Sequence, residues 1–305
     1  MLALIQTALE LGLIYAFTVL ALFLSYSMLG VCDLSTDGCF TLGASVGAMV
    51  AVAGHPLLAL PAAMLAGTTS GFVTAFLQTR MGIDSLLSGI IVNTGLYSVN
   101  IAVMAGASQV SLNRTDTVFT LARDLLADGP LAGQYRLVVL VAATAAAVGL
   151  LTLFLNTRLG LAIRATGDNR DMVRASSIDP VFTVTVGLCL ANALTGLSGC
   201  MLAQYQRSAE INLGSGILTV ALASLLIGRV LVPRGGILLK AAGAVGGAFL
   251  FRLIYALALR LQMPAYMLRL TSAVIVALTI ALPYLKKQYP LLLRRQKVKG
   301  GTPSC

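Results

Sequence analysis

Long apolar segments recur along the whole chain, and they constrain its fold more than any other feature. A helix that crosses a bilayer needs about 20 apolar residues. About nine candidate segments of this kind lie at 2–29, 39–53, 57–78, 86–106, 137–155, 181–205, 217–232, 238–259 and 266–285. The segments at 39–53 and 217–232 are shorter than the rest. We therefore predict an all-α, polytopic transmembrane helix bundle over residues 1–285, with short broken helices.

The small number of charged residues excludes a soluble fold. Only 10% of the 305 residues are charged, whereas a soluble domain carries roughly 25%. Mean hydropathy is +0.91. So few charges cannot cover a globular surface, and lipid is the expected solvent.

The distribution of positive charge gives the expected orientation. The net charge is +10, and Glu210 is the last acidic residue. Residues 286–305 form a basic tail directly after an apolar segment and without interleaved aromatic residues, so we expect it to contact anionic membrane lipid in the cytoplasm and not nucleic acid. With the tail inside, fourteen of the 21 lysine and arginine residues are cytoplasmic, and the N-terminus is extracytoplasmic. Arg252 lies within a segment, and we expect it to snorkel outward or the segment limits to be wrong.

A weak internal similarity links the two short segments. The run from Asp33 to Gly38 precedes the first, and the run from Glu210 to Gly216 precedes the second. The predicted orientation places these two runs on opposite sides of the membrane. Short segments at corresponding places in two halves are typical of inverted repeats around a pathway at the bilayer midplane.

Polar residues within the apolar segments are the candidates for a solute pathway. Such residues are costly in lipid and face either a wet cavity or a neighbouring helix, and the sequence leaves both interpretations open. Glu10 and Gln204 belong to this group, although Glu10 is also compatible with the outer interface. Backbone turns alone would also favour Asp, Asn and Gly at the broken segments. The predicted pathway residues are Asp33, Asp37, Asn93, Asn100, Asn192 and Asn212.

Enzymatic and metal-binding alternatives have little support in the sequence. Ser45 lies in a GxSxG pattern, but the only histidine, His55, follows within the same segment, so an intramembrane serine protease is a minor alternative. The same glycines fit better the small-residue pattern of packed membrane helices, as do Gly67/Gly71 and Gly243/Gly247. The five cysteines form no CxxC pair, so we expect no metal site. No GxxxxGK[ST] loop is present, so we expect no cofactor on this chain, and ATP and Mg²⁺ would belong to a separate ATPase.

Two polar stretches separate the apolar segments. We predict that 107–135 is an extracytoplasmic loop and that 156–180 is a cytoplasmic loop. In the second stretch, Asp168 or Asn169 can cap a short helix that ends before Pro180. This helix would carry an apolar strip of Met172, Val173 and Ala175 between charged flanks, which suits docking into a cleft on a soluble partner. The alternative is an ordinary positively charged loop.

Several motifs resemble those of one group of bacterial ABC importer permeases. The run Asp-Leu-Ser-Thr-Asp-Gly-Cys-Phe-Thr-Leu-Gly-Ala, from Asp33, is similar to the group's DLTxDGSFxLGA segment. The run Arg-Ala-Thr-Gly-Asp-Asn-Arg-Asp-Met-Val-Arg-Ala, from Arg164, is similar to its RATGDNxxMxRA segment. The runs that begin at Gly89, Leu190 and Glu210 continue the resemblance in the same order.

This group belongs to the branched-chain amino acid and ribose permease superfamily, and its members are described as tryptophan/tyrosine importer permeases or as uncharacterised. The resemblance implies a bacterial inner-membrane location, a second permease copy in a homodimer, two ATPase subunits and an extracytoplasmic substrate-binding protein. It also implies an ATPase-coupling helix formed by Gly167, Asp168, Asn169, Arg170, Met172, Val173, Arg174 and Ala175. Two departures from the group are the basic run from Arg229 and the presence of Asn93 where methionine is common.

Together these features predict a permease that moves a small polar solute, an amino acid and by resemblance an aromatic one, by alternating access. Branched-chain amino acids, nucleosides and sugars stay open as substrates. A stand-alone ion-coupled secondary transporter and a purely structural membrane subunit are the remaining alternatives.

Overall fold

The computed structural model describes residues 2–125, 132–233 and 235–260, together with the single positions 270, 273, 274, 277 and 281. Its α-helices are α1 (Leu2–Leu22), α2 (Thr36–Val52), α3 (Ala59–Thr79), α4 (Ser85–Val103), α5 (Val118–Leu125), α6 (Tyr135–Leu155), α7 (Arg158–Asp168), α8 (Arg170–Ala175), α9 (Pro180–Gln206), α10 (Ile217–Leu231) and α11 (Ile237–Arg260). A π-helical turn, Phe23–Met28, continues α1, and a 3-10 turn, Ala132–Gln134, precedes α6.

The predicted all-α polytopic architecture is confirmed. In the described part of the chain, six helices are long and apolar enough to cross a membrane: α1 with its π-helical turn, α3, α4, α6, α9 and α11. Helices α2 and α10 are apolar but shorter, as the sequence predicts. The ninth predicted segment, 266–285, and the basic tail, 286–305, lie outside the described residues apart from the single positions, so the count of nine stays a prediction.

The chain reverses direction after α1. Gly30 adopts a positive φ of 69°, a conformation that favours glycine. Residues 31–35 then return into the bundle without regular secondary structure before α2 begins at Thr36. The span that contains α2 therefore begins with irregular backbone and continues as a short helix.

Two helices form the centre of the bundle. Helix α9 packs against α2 and α3, whereas α1 packs against α10 and α11, and the two central helices also touch each other. Buried side chains of both helices join one large apolar core that includes Phe17, Leu20 and Leu188.

Glycines allow the helices of this bundle to approach closely. A Cβ at Gly43 would overlap the backbone of Gly196 in α9, and one at Gly67 would overlap the carbonyl of Asn192. At the α10–α11 contact, a Cβ at Gly247 would overlap the carbonyl of Ser224. The interpretation of these glycines as helix-packing residues is therefore confirmed.

A small antiparallel sheet closes one end of the bundle. Strand β1 (Gln109–Ser111) pairs with β2 (Ser208–Glu210), and Val110 faces Ala209 in the register. Nearby, the Val118 backbone N–H donates to Oε1 of Gln204 over 2.8 Å. The polar stretch after α4 is thus fastened to the end of α9.

Arg252 has aromatic partners that the sequence does not reveal. Helix α11 extends to Arg260, so the segment limits are right, and the Arg252 guanidinium lies near two aromatic rings, one on α1 and one, Tyr255, on α11. Its guanidinium carbon lies 3.7 Å from the centroid of the Tyr15 ring. Tyr15 lies deeper along α1 than Gly12, which packs on Phe249. The aromatic face stabilises the cation inside the bundle, where the sequence offers no sign of a partner.

We expect Gly67→Ala to destabilise the protein, because the added Cβ meets the backbone of α9 and not a movable side chain. Overpacking of this kind costs about 1–3 kcal/mol, which a lower thermal midpoint of the detergent-solubilised protein would report. Gly95→Ala is the matched control, since a Cβ there meets no atom within 4 Å. Equal midpoints for the two variants would contradict the close α3–α9 contact.

Candidate functional site

The two short helices meet at their N-termini. Asp37, in the first turn of α2, accepts hydrogen bonds from the backbone N–H groups of Gly216 (2.9 Å) and Leu218 (2.8 Å) at the start of α10. The Gly214 N–H donates to Oγ1 of Thr41 over 3.1 Å. The N-terminal N–H groups of a helix have no partner within the helix and carry a partial positive charge. The Asp37 carboxylate supplies both a hydrogen-bond acceptor and a negative charge at the start of α10.

A second carboxylate satisfies the start of α2. Asp33 accepts hydrogen bonds from the Ser35 N–H (2.8 Å) and the Ser35 hydroxyl (2.6 Å). Its other oxygen accepts from Nδ2 of Asn192 over 2.7 Å. Both Asp33 and Asn192 are buried, so this pair bonds α9 to the beginning of α2.

The position of Asn192 gives the depth of this junction. Asn192 lies close to the middle of α9, which has 27 residues. At ~1.5 Å per residue, each end of that helix is roughly 18–20 Å away. The two half-helices therefore meet near mid-height of the bundle.

A polar cavity of about 220 Å³ lies beside this junction. Four of the predicted pathway residues line it: Asp37, Asn93, Asn100 and Asn212. The other two, Asp33 and Asn192, are bonded to each other and do not line it. The remaining lining residues are Gly38, Thr41, Thr94, Tyr97, Ile211 and Ser215.

Sequence reasoning missed Tyr97 and Ser215 as members of this cavity. A signal for Tyr97 was present, because Asn93, Tyr97 and Asn100 share one face of a helix at spacings of four and three. Ser215 lies in the irregular segment before α10, within the run from Glu210 to Gly216 that the sequence links to a pathway, but no feature singled out this residue within the run.

Asn100 has an unpaired oxygen in this cavity. Its Nδ2 donates to the carbonyl of Gly38 over 3.2 Å, which fixes the orientation of the amide. Its Oδ1 is buried and has no hydrogen-bond partner within the described part of the chain. A buried acceptor without a partner costs about 1–3 kcal/mol. A molecule that donates a hydrogen bond next to this cavity would satisfy the Asn100 oxygen.

The other two polar candidates bond helices together. Glu10 is buried and accepts from the Tyr205 hydroxyl over 2.8 Å and from Gln6 over 3.1 Å. The Arg136 guanidinium lies 5.4 Å from the Tyr205 ring. Gln204 bonds to the Val118 N–H, as described above. Neither residue lines the cavity at the half-helix junction.

The geometry gives no support to a serine nucleophile. The buried Ser45 hydroxyl donates within its own helix to the Thr41 carbonyl over 2.8 Å and lies 3.2 Å from Sδ of Met104. His55 is exposed in the turn between α2 and α3. Among the described residues, no group of three His, Cys, Asp or Glu side chains could hold a metal ion.

The polar stretch 156–180 folds into two helices, α7 and α8, where the sequence predicted one. The Asn169 side chain caps α8 by accepting from the N–H groups of Asp171 (3.0 Å) and Met172 (3.1 Å). The expected apolar strip is wrong as a single docking surface, because Val173 is buried whereas Met172 is 55% exposed. Since α8 lies on other helices, the side of α8 that carries Val173 faces the bundle.

Most of the other residues of the predicted coupling helix are exposed. Gly167 is the exception, because it packs on the end of the π-helical turn, where a Cβ would overlap the carbonyl of Met28. This contact joins the α7–α8 segment to the end of α1. The exposed members are Asp168, Asn169, Arg170, Met172, Arg174 and Ala175.

We expect Asp37→Ala to abolish transport, because α10 loses the acceptor that holds it against α2 at the cavity. Loss of a helix cap costs about 0.5–2 kcal/mol of stability. Asp84→Ala is the matched control, since Asp84 caps α4 through the Leu86 N–H over 2.9 Å at an exposed site. Asp37→Ala should lose at least as much thermal stability as Asp84→Ala, because it leaves two N–H groups without their acceptor, and only Asp37→Ala should lose solute uptake. Equal uptake by both variants would contradict a role for the junction.

Comparison with known proteins agrees with this architecture. The model of a family described as "Branched-chain amino acid transport system / permease component" matches residues 4–283. The chain is 31% identical over 272 residues to a tyrosine transport system permease protein of Clostridioides difficile (strain R20291), covering 88% of each chain. It is 32% identical over 225 residues to an uncharacterized protein of Rickettsia prowazekii (strain Madrid E), covering 73% of this chain and 76% of the other. No solved structure matches the chain. The chain therefore belongs to the family of branched-chain amino acid transport system permease components.

Proposed function

We propose that this chain is the membrane-spanning subunit of an ATP-driven ABC importer that moves an amino acid into the bacterial cytoplasm by alternating access. The observation that carries the proposal is the polar cavity at the junction of α2 and α10, near mid-height of the bundle. Irregular backbone at membrane depth is tolerated where it lines a cavity. Half-helix ends at the midplane are the usual site of solute recognition in transporters.

Inverted repeats would supply the two alternating states. In this proposal α1, α2 and α3 correspond to α9, α10 and α11. The contacts fit this correspondence, because α9 packs on α2 and α3 whereas α1 packs on α10 and α11. In each half, the first helix packs on the second and third helices of the other half. Two halves of this kind can rock against each other around the cavity.

The α7–α8 segment is the proposed contact with the ATPase. The positive-charge bias puts this end of the bundle in the cytoplasm and the N-terminus outside. Arg170, Met172 and Arg174 are exposed there and suit a cleft on a soluble subunit. Movement of this segment would reach α1 through the Gly167–Met28 contact. ATP and Mg²⁺ would bind to the ATPase dimer.

A second permease copy is proposed to face α4. The cavity is bordered by Thr94 and Tyr97 of α4, and both residues are exposed. The same helix exposes the apolar residues Leu87 and Ile90. A homodimer would cover this surface and close the pathway. The extracytoplasmic binding protein would contact the end that carries 107–135.

The chemistry of the cavity favours a solute with a hydrogen-bond donor. Asp37 occupies two backbone N–H groups at the start of α10, and its negative charge beside the cavity disfavours a carboxylate there. The unpaired Oδ1 of Asn100 needs a donor, which the ammonium group of an amino acid supplies. The tyrosine permease among the relatives makes tyrosine the first solute to test.

We expect tagged chain purified from its native membrane in mild detergent to carry an ATPase subunit with Walker motifs and ATPase activity. Arg170→Glu/Arg174→Glu should release that subunit, because both cations are exposed on the proposed contact surface. Arg80→Glu is the control, since Arg80 is exposed at the end of α3 outside this segment. Recovery of the chain alone would contradict ATP-driven import and favour a stand-alone ion-coupled transporter.

We expect Asn100→Leu to reduce uptake of labelled tyrosine by the complete system roughly tenfold or more, because a charged donor loses its acceptor. Thr94→Val is the control within the same cavity, since its hydroxyl already donates to the Ile90 carbonyl of its own helix over 2.8 Å. Thermal midpoints of both variants would separate lost binding from lost folding. Unchanged uptake in a folded Asn100→Leu protein would contradict the role of Asn100 as an acceptor for the solute.

A further inference from the structure

A second polar cavity, of about 320 Å³, lies far from the half-helix junction. Its walls come from the π-helical turn after α1, the last turns of α10 and the first turn of α11. It lies at the same end of the bundle as α7, because the π-helical turn that forms one wall also contacts Gly167. The lining residues are Phe23, Ser27, Leu225, Gly228, Arg229, Val232, Pro233 and Lys240.

Two cations line this cavity without a carboxylate. Arg229 donates one hydrogen bond, from Nη2 to the Ser27 hydroxyl over 3.0 Å, which leaves most of its guanidinium N–H groups available. Its guanidinium carbon also lies 5.9 Å from the centroid of the Tyr26 ring. Neither Arg229 nor Lys240 has an acidic partner within 4.0 Å among the residues that the structure describes. The cavity therefore attracts an anion.

Exposed apolar side chains flank the two cations. Val230 and Leu231 follow Arg229 at the end of α10 and are 61% and 51% exposed. Leu238 and Leu239 precede Lys240 in α11 and are 55% and 56% exposed. The pocket therefore combines a cationic part with an apolar border at the end of a membrane bundle. A phospholipid likewise combines a charged head group with apolar acyl chains.

We propose that this cavity binds the phosphate of an anionic phospholipid, whose acyl chains lie along the exposed apolar residues of α10 and α11. Guanidinium and ammonium groups donate charge-assisted hydrogen bonds to phosphate oxygens. Basic pockets between membrane helices on the cytoplasmic side suit such head groups. A lipid with a choline group would place an additional positive charge beside Arg229 and Lys240. The cavity therefore favours lipids with a net negative charge.

The bound lipid would stabilise an otherwise weak part of α1. A π-helical turn is rare and marks a change in helix geometry. The Arg229–Ser27 bond is the polar contact that ties this turn to α10. A phosphate that also engages Lys240 would extend this tie to α11 and reduce the repulsion between the two cations.

The test measures lipid binding to the purified full-length chain and needs neither an ATPase nor a transported solute. The chain is equilibrated with mixed micelles that contain equal amounts of phosphatidylglycerol and phosphatidylcholine, and native mass spectrometry counts the retained lipids. We expect the wild-type chain to retain phosphatidylglycerol preferentially. Arg229→Gln/Lys240→Gln should weaken that retention roughly tenfold, because charge-assisted hydrogen bonds are lost.

Arg80→Gln/Arg158→Gln is the matched control, since it removes the same charge from exposed positions outside the cavity. The single variant Lys240→Gln, at an exposed position, keeps the test valid if the double variant unfolds. An equal loss of phosphatidylglycerol in the control would overturn the proposal, as would displacement of the lipid by inorganic phosphate alone. Unaltered phosphatidylglycerol retention in a folded Arg229→Gln/Lys240→Gln protein would likewise refute the lipid site.

Discussion

The structure depends on two aspartates that satisfy the ends of broken helices within the bundle. A helix that begins inside a membrane leaves N–H groups that water cannot reach, and each unsatisfied group costs several kcal/mol. Asp33 accepts from Ser35, the residue before α2, and Asp37 accepts from two N–H groups at the start of α10. The two carboxylates thus supply acceptors at both interruptions. The cavity beside the junction exists because both spans are interrupted there.

The same aspartates hold together helices that are distant in the sequence. Asp33 bonds to Asn192 of α9, and Asp37 reaches across 179 and 181 residues to the start of α10. These polar links are specific in direction, whereas apolar contacts between membrane helices are not, since lipid tails compete for them equally well. Close glycine contacts, such as Gly43 on Gly196, then bring the backbones into the register that the aspartates require. Polar bonds define which helices meet, and small residues define how closely.

The sequence predicts most of the helical architecture because the length of an apolar segment is a direct consequence of bilayer thickness. It also predicts four residues of the cavity, Asp37, Asn93, Asn100 and Asn212, because polar residues at membrane depth are costly and rarely accidental. It does not distinguish Asn192 from Asn100, since the difference lies in a partner, Asp33, that is 159 residues away. It gives no partner for Arg252 for the same reason, because only the fold brings the ring of Tyr15 beneath the guanidinium. Helix α7 was missed because it is short and has no long apolar run, and two of its three buried residues, Gly160 and Thr166, are not strongly apolar.

Hydrogen-bond satisfaction helps to separate structural from functional polar residues only when it is combined with position. Thr18, Ser70, Gln78 and Thr152 also carry a buried polar atom without a partner among the described residues, but none of them lines the cavity at the junction. Asn192, Gln204 and Glu10 are all buried and all have protein partners, so each one stabilises a helix contact and needs nothing further. Asn100 is equally buried, but its oxygen is the unpaired acceptor among the described residues that line the cavity at the junction. Asn100 donates one bond to Gly38, and its buried oxygen has no partner among the described residues, which costs stability unless another molecule completes the site. This unpaired acceptor supports the proposal that the cavity beside Asn100 belongs to the path of a solute.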